Sequence, residues 1–231
     1  MPETVPATSK LKNYIAIILD KSGSMLSLKN EVVGGFNDQI KNIKEQNEKT
    51  RMETLMSLVE FSSGVYPPVA WLVDIDKIEL LTPEKYMPDG MTAMYDAVGL
   101  TIEQLMSLPD AGNEEVSFLI IVISDGFENN SHNYTSDKIA ELVKSCEKTG
   151  RWTFTYIGAN QDLGEISKRL NINIGNTMAF AATAAGYSTM TGSLVAATAG
   201  YYEARTRGVK SMSNMFAPNT TNDADKDADA Q

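Results

Sequence analysis

Residues 118–123 read Phe-Leu-Ile-Ile-Val-Ile, six apolar side chains with no polar interruption. A strand with one wet face alternates apolar and polar residues, so an unbroken run needs cover on both faces. Val116–Ile123 is therefore expected at the centre of a sheet clad by helices on either side. The flanking sequence supplies the cladding. Tyr14–Leu19 is a second apolar run, ending at Asp20, and Leu28, Val32, Phe36, Ile40 and Ile43 follow at helical spacing. Met52–Phe61 returns to an extended pattern. Val65–Val73 contains Pro67-Pro68, which suits an edge strand or hairpin. Met94, Val98, Ile102 and Leu105 mark a second helix that stops near Pro109. Ile139, Leu142, Val143 and Cys146 mark a third, closed by Gly150. Trp152–Gly158 reads as a strand, Asp162–Leu170 as a short helix and Asn176–Phe180 as a last strand.

The order β-α-β-β-α-β-α-β-α-β-α predicts an α/β fold: a three-layer α/β/α sandwich around a Rossmann-like, mostly parallel sheet with one antiparallel edge strand. The domain is expected over residues 13–210, after an extension at 1–12. Residues 211–231 are expected to form a mobile acidic tail, because Asn219–Gln231 holds Asn, Thr, Ala and Asp with no apolar anchor. Met178–Tyr202 carries no charge and is long enough to cross a bilayer. Its branched aliphatics are only Leu194 and Val195, which gives it little to insert with. Phe180, Tyr187, Leu194 and Tyr201 recur every seven residues, as in a helix laid on a core. Gly192, Ala196 and Gly200 are expected to let that helix, within a region spanning 178–206, approach its neighbour closely.

Composition narrows the function. One cysteine, Cys146, excludes an internal disulfide and a thiolate zinc cluster, and one histidine, His132, excludes multi-histidine metal sites. Twenty Lys and Arg against thirty Asp and Glu give a net charge of −10, a poor basis for gripping phosphates, so no nucleic-acid partner is expected. Met1–Lys12 lacks the apolar core of a signal peptide, and no membrane association is expected. The expected setting is reducing and cytoplasmic.

In open parallel sheets ligands bind beyond the carboxyl ends of the strands. Three segments fall there: Asp20-Lys21-Ser22-Gly23-Ser24 after the first strand, Gly90-Met91-Thr92 before the second helix, and Ser124-Asp125-Gly126 after the strongest strand. Between them these segments offer carboxylate and hydroxyl oxygens, with no histidine or cysteine. That donor set suits a hard octahedral cation, Mg²⁺ or Mn²⁺, completed by water. The site is expected at the sheet's rim.

A strand ending in Asp-x-Ser-x-Ser, then a distant Gly-x-Thr, then a strand ending in Asp-Gly, resembles the von Willebrand factor type A (vWA) domain, most closely its stand-alone intracellular members in bacteria and phages. The resemblance covers about residues 13–170. It implies a metal-ion-dependent adhesion site (MIDAS) built from Asp20, Ser22, Ser24, Thr92 and Asp125, in which hydroxyls coordinate the cation directly and carboxylates often act through water. A cation held mainly by neutral oxygens keeps its charge and attracts an Asp or Glu of a partner protein. The implied function is metal-bridged protein binding without turnover.

Other residues depart from that pattern or border it. Lys21 is expected either to draw in an acidic partner or to lie on the surface. Asp89 and Glu128 are expected either to rim the site and repel an acidic ligand or to bind a basic neighbour of it. His132 reads as a bystander, and Asp74 with Asp76 as a solvated turn. A haloacid dehalogenase-like phosphohydrolase would need a second Asp two residues after the first, where Ser22 stands. A receiver domain lacks its acidic pair, and neither a Gly-x-Gly-x-x-Gly nor a Gly-Lys-Ser/Thr loop is present. A scaffold that binds through another surface, its metal site purely structural, is the other alternative.

Overall fold

The computed structural model describes residues 10–159 and 161–216. Eleven principal elements follow one another: β1 (Lys12–Asp20), α1 (Lys29–Thr50), β2 (Glu53–Phe61), β3 (Ala70–Asp74), α2 (Met94–Met106), β4 (Val116–Ser124), α3 (Ser136–Glu147), β5 (Trp152–Ala159), α4 (Leu163–Leu170), β6 (Thr177–Phe180) and α5 (Ala184–Thr206). They form one six-stranded sheet in the order β3-β2-β1-β4-β5-β6, parallel throughout except for β3 at one edge. The expected three-layer sandwich with one antiparallel edge strand is the observed fold.

Every residue of β4 is buried, because the two faces of its pleat feed two different cores. Leu119, Ile121 and Ile123 join Ile15, Ile17 and Leu19 of β1 under α1 and α5. Phe118, Ile120 and Val122 join Tyr14, Ala16 and Ile18 under α2, α3 and α4. The side-chain period of two therefore persists inside a run that shows no polar alternation.

Helix α5 takes up most of the charge-free segment, the remainder lying in β6 and the turn between them. Tyr187, Leu194 and Tyr201 are buried as their spacing predicts, with Phe180 joining them from β6. Among the described residues no helix is long and apolar enough to cross a membrane. The close approach between α5 and its neighbour does not come from α5's own small residues. Space opposite Gly192 and Gly200 is open, and Ala196 and Gly200 line a groove of about 690 Å³ beside β6. Gly35 of α1 makes the approach instead: a Cβ there would lie 2.5 Å from Thr191 Oγ1 and 3.0 Å from Tyr187.

Near its end α5 delivers Arg205, 1% exposed, to the amino-terminal ends of β1 and β4. Its guanidinium donates to Asn13 Oδ1 (3.0 Å) and to the Glu115 carbonyl (2.9 Å), and no carboxylate pairs with it among the described residues. The expected domain end at residue 210 falls inside packed chain. Met215 is buried, and the Asn176 side chain bonds to the Met212 carbonyl and the Met215 N–H. Asn219–Gln231 lies outside the described residues.

Gly35→Ala should lower stability by about 1–3 kcal/mol, the usual cost of overpacking a close-packed contact. Gly192→Ala, facing open space in a helix, should be neutral or stabilising by up to about 1 kcal/mol. Thermal denaturation of both variants checks this; equal behaviour would refute the assigned contact.

Candidate metal site

Strands β1 and β4 run in register, Leu19 facing Ile123, so their carboxyl ends bring Asp20 beside Ser124. This is the point where the chain's connections diverge toward opposite edges of the sheet, the usual place for a ligand crevice. Asp20 is fully buried rather than merely at the rim. Its Oδ1 accepts the Ser22 N–H at 2.7 Å and its Oδ2 the Ser124 hydroxyl at 2.5 Å. Tyr86, itself buried, donates its hydroxyl to the Asp20 carbonyl at 2.5 Å. The carboxylate that should anchor the site is thus also the staple between two strand ends.

The hydroxyls continue the network. Ser24 Oγ donates to Asp125 Oδ1 at 2.6 Å, and Ser22 Oγ lies 3.1 Å from Ser24 Oγ. Since Ser24 has one hydroxyl proton and it points at Asp125, the Ser22 proton completes the second bond. Both hydroxyl protons then lie within the network and leave oxygen lone pairs available. Thr92 joins through Gly126: a Cβ on that glycine would lie 3.3 Å from Thr92 Oγ1 and 3.6 Å from Ser24 Oγ. The absence of a side chain there keeps a space between hydroxyls from two separate loops. All five sequence-predicted residues therefore converge.

The loops are clamped by backbone bonds. Gly23 N–H donates to the Gly90 carbonyl, Asp89 N–H to Lys21, and Ala93 N–H to Ser62. Gly90 adopts φ +80°, and a Cβ there would meet Ser63 Oγ at 2.4 Å, so the position demands glycine. Asn129 Oδ1 accepts the Thr92 N–H at 2.9 Å, and Gln161 donates to the Gly126 carbonyl at 2.8 Å.

Several bordering residues do something other than expected. Lys21 is half-buried and tied within the protein: its Nζ pairs with the buried Glu60 at 2.9 Å and sits 4.8 Å above the Tyr66 ring. Glu128 does not rim the site. It accepts the N–H groups of Tyr95, Asn130 and Ser131, capping α2, whose preceding Ala93 offers no side-chain cap. Asp96 holds the same loop through the N–H groups of His132, Asn133 and Tyr134. His132 is exposed and contributes its backbone. Asp74 accepts the Asp76 N–H in an exposed turn. Of the supporting residues, Ser124 had a legible signal in its place at the strand end; Tyr86, Glu60 and Asn129 had none, because each arrives from a distant segment.

Burial pushes the Asp20 carboxyl above the ordinary aspartate value, and the nearby Asp125 adds to this, against the bonds from Ser124 and Ser22. Burial likewise raises Asp125, against the Ser24 bond. Among the described residues no Lys, Arg or His forms an ion pair with either. No three His, Cys, Asp or Glu side chains gather at a metal-binding spacing among those residues either. The oxygen set here has two carboxylates and owes the rest to hydroxyls. Buried negative charge without a side-chain counter-ion, beside hydroxyl lone pairs, fits a hard divalent cation.

No family model matches the sequence, and no curated protein matches it. Solved structures do match. Proximal thread matrix protein 1 from the mussel byssus superposes with a TM-score of 0.52 at 16% identity, over 80% of this chain and 46% of that one. The fold is that of a von Willebrand factor type A domain. A second structure of the mussel protein, described as having a zinc-occupied MIDAS motif, gives a TM-score of 0.54 at 17% identity over 80% and 45%. A von Willebrand factor type A protein from Catenulispora acidiphila gives 0.52 at 15% over 82% and 43%. The chain spans less than half the length of each. At these identities the likeness establishes the vWA fold alone.

Gly90→Ala should strain the loop and loosen the Gly23–Gly90 bond, weakening Mg²⁺ binding about tenfold or more, as displaced ligand supports do, with the far-ultraviolet circular dichroism retained. Unchanged affinity by calorimetry would contradict this. Asp96 supplies a pH test. Burial alone would raise its carboxyl, but the three backbone N–H groups and the Asn133 side chain bring it below the ordinary aspartate value. A depressed folded value means that its contribution is complete above the ordinary value and lost as pH falls through the folded one. Protection of the His132, Asn133 and Tyr134 amides, relative to their intrinsic exchange rates, should fall below about pH 4 in the wild type. In Asp96→Asn it should already be low at neutral pH.

Proposed function

We propose that this chain is a metal-dependent protein-binding module that captures one acidic side chain of a partner. Ser22, Ser24 and Thr92 would hold the cation through their hydroxyl oxygens, with Asp20 and Asp125 ordering the shell around them. When bound, Mg²⁺ or Mn²⁺ supplies a positive charge with an open coordination position for a carboxylate oxygen. The observation that carries the reading is the Ser22–Ser24–Asp125 hydroxyl chain beside a buried Asp20 that forms no ion pair among the described residues. Neutral hydroxyl ligands leave a cation's charge largely uncancelled, whereas a cage of direct carboxylates would spend it. Lys21 is bound to Glu60, so it does not compete for an incoming acid.

The same residues support binding without turnover. A phosphohydrolase of the kind considered above would require a proton donor where Ser22 stands, and the Ser22 hydroxyl proton is engaged within the network. The lone imidazole, His132, is exposed on a loop organised by Asp96. A reducing setting agrees with Cys146, which is buried and free.

Asp20→Asn keeps the shape of the side chain and removes its charge. It should weaken Mg²⁺ binding about 10- to 100-fold by calorimetry. Thr92→Ala should weaken capture of partner protein from cell extract with the fold intact. Capture should fail in chelator and return with Mg²⁺ or Mn²⁺. Unchanged Mg²⁺ affinity in Asp20→Asn would overturn the site, and capture that persists in chelator would favour a scaffold binding through another face. Phosphatase activity lost in Asp20→Asn would favour an enzyme.

A further inference from the structure

The loops that carry the candidate metal residues also carry exposed apolar side chains, one beside each. Leu26 stands two residues beyond Ser24 and is 59% exposed; Met91 adjoins Thr92 and is 50% exposed; Phe127 stands two residues beyond Asp125 and is 67% exposed. Met87, 56% exposed, lies on the segment that the Asp89–Lys21 backbone bond ties to the first loop, and its sulfur accepts Lys29 Nζ at 3.1 Å. Exposed single hydrophobics are ordinary, but a set gathered on one functional edge marks an interaction surface.

Four of the longer polar side chains of these loops are engaged within the protein. Lys21 is held by Glu60, Glu128 by the N–H groups it caps, Asn129 by the Thr92 N–H, and Asn130 by the Ser63 carbonyl at 2.7 Å. The large side chains exposed around the oxygen network are therefore mainly these four apolar ones, among small exposed serines (Ser24, Ser27, Ser63), with Lys29 and Asp89 as charged margins. An arriving carboxylate flanked by apolar side chains gains twice: their contact with the collar removes apolar surface from water, and the loss of that water strengthens attraction at the centre. A segment with several acids gains no apolar contact from the collar and, Lys29 at Met87 apart, meets Asp89, Asp125 and Asp20.

We propose that the partner segment presents a single Asp or Glu between apolar side chains, seated on Leu26, Met87, Met91 and Phe127. The two methionines are unbranched and adapt to differently shaped flanks, so the surface reads the combination of one charge with apolar neighbours more than a fixed sequence. This rests on the metal-dependent carboxylate capture proposed above.

The test is a methyl-detected NMR titration of the full chain in Mg²⁺ with three probes: acetate, 4-phenylbutanoate and the peptide Asp-Asp-Asp. The proposal expects 4-phenylbutanoate to bind about tenfold or more tightly than acetate, shifting Leu26, Met87 and Met91 methyl signals, with Asp-Asp-Asp weaker than 4-phenylbutanoate. Leu26→Ser with Phe127→Ser should bring 4-phenylbutanoate down to the level of acetate. Mg²⁺ affinity is measured alongside, to separate loss of the collar from loss of the cation. Equal affinity for acetate and 4-phenylbutanoate, or tightest binding of Asp-Asp-Asp, would overturn the collar while leaving carboxylate capture standing. Binding of 4-phenylbutanoate that is the same in chelator would overturn it too, since the apolar face would then act without the cation. If no probe binds in Mg²⁺, carboxylate capture itself fails and this proposal with it.

Discussion

The Asp20 carboxylate sits at the junction on which the rest of the edge depends. Parallel pairing of β1 with β4 brings two strand ends together, and their last residues would otherwise leave a polar gap over an apolar sheet. Asp20 closes it by accepting from its own loop through Ser22 and from the neighbouring strand through Ser124. A buried carboxylate is tolerated only when its oxygens are met by donors, and here both are. The same two bonds fix the direction in which the first loop leaves the sheet. That direction sets where Ser22 and Ser24 point, and so where Asp125 and Thr92 can meet them.

Much of this was legible in the sequence, for identifiable reasons. The continuous apolar run of β4 announced a strand covered twice, and heptad-spaced aromatics announced the buried face of α5. Strand-end position and residue type picked out three loops, and the resemblance to the vWA site singled out Asp20, Ser22, Ser24, Thr92 and Asp125 within them. What stayed illegible depended on partners far away in the chain. Lys21 looks like a free surface cation until Glu60 arrives from β2, thirty-nine positions later. Glu128 looks like a rim charge until the uncapped start of α2 is placed beside it. The small residues of α5 suggested close packing because composition reports size but not which face is turned inward. Gly35, on the other helix, carried that role unseen.

Charge on this edge is handled by diversion. Glu60 occupies Lys21, backbone amides occupy Glu128 and Asp96, and Asp20 is satisfied by neutral donors. Hydrogen bonds offset part of the burial cost of Asp20, and among the described residues no Lys, Arg or His pairs with it or with Asp125. The loops therefore keep negative potential over the Ser22–Ser24–Asp125 chain without needing a strained backbone there, since the nearby positive-φ position is a glycine, Gly90.

Arg205 has a consequence for how the molecule is made. Its guanidinium reaches Asn13, 192 positions earlier, and the carbonyl of Glu115. During vectorial synthesis β1 and β4 emerge long before α5, so the sheet face carrying Ile15, Ile17, Leu119 and Ile121 waits uncovered on that side of α1 until the last helix is translated. Contacts this distant in sequence are slow to form, and apolar surface exposed meanwhile is open to misassociation. The lower ends of the two central strands are thus closed only when α5 arrives, so the emergence of one helix is the step that seals an otherwise open sheet face.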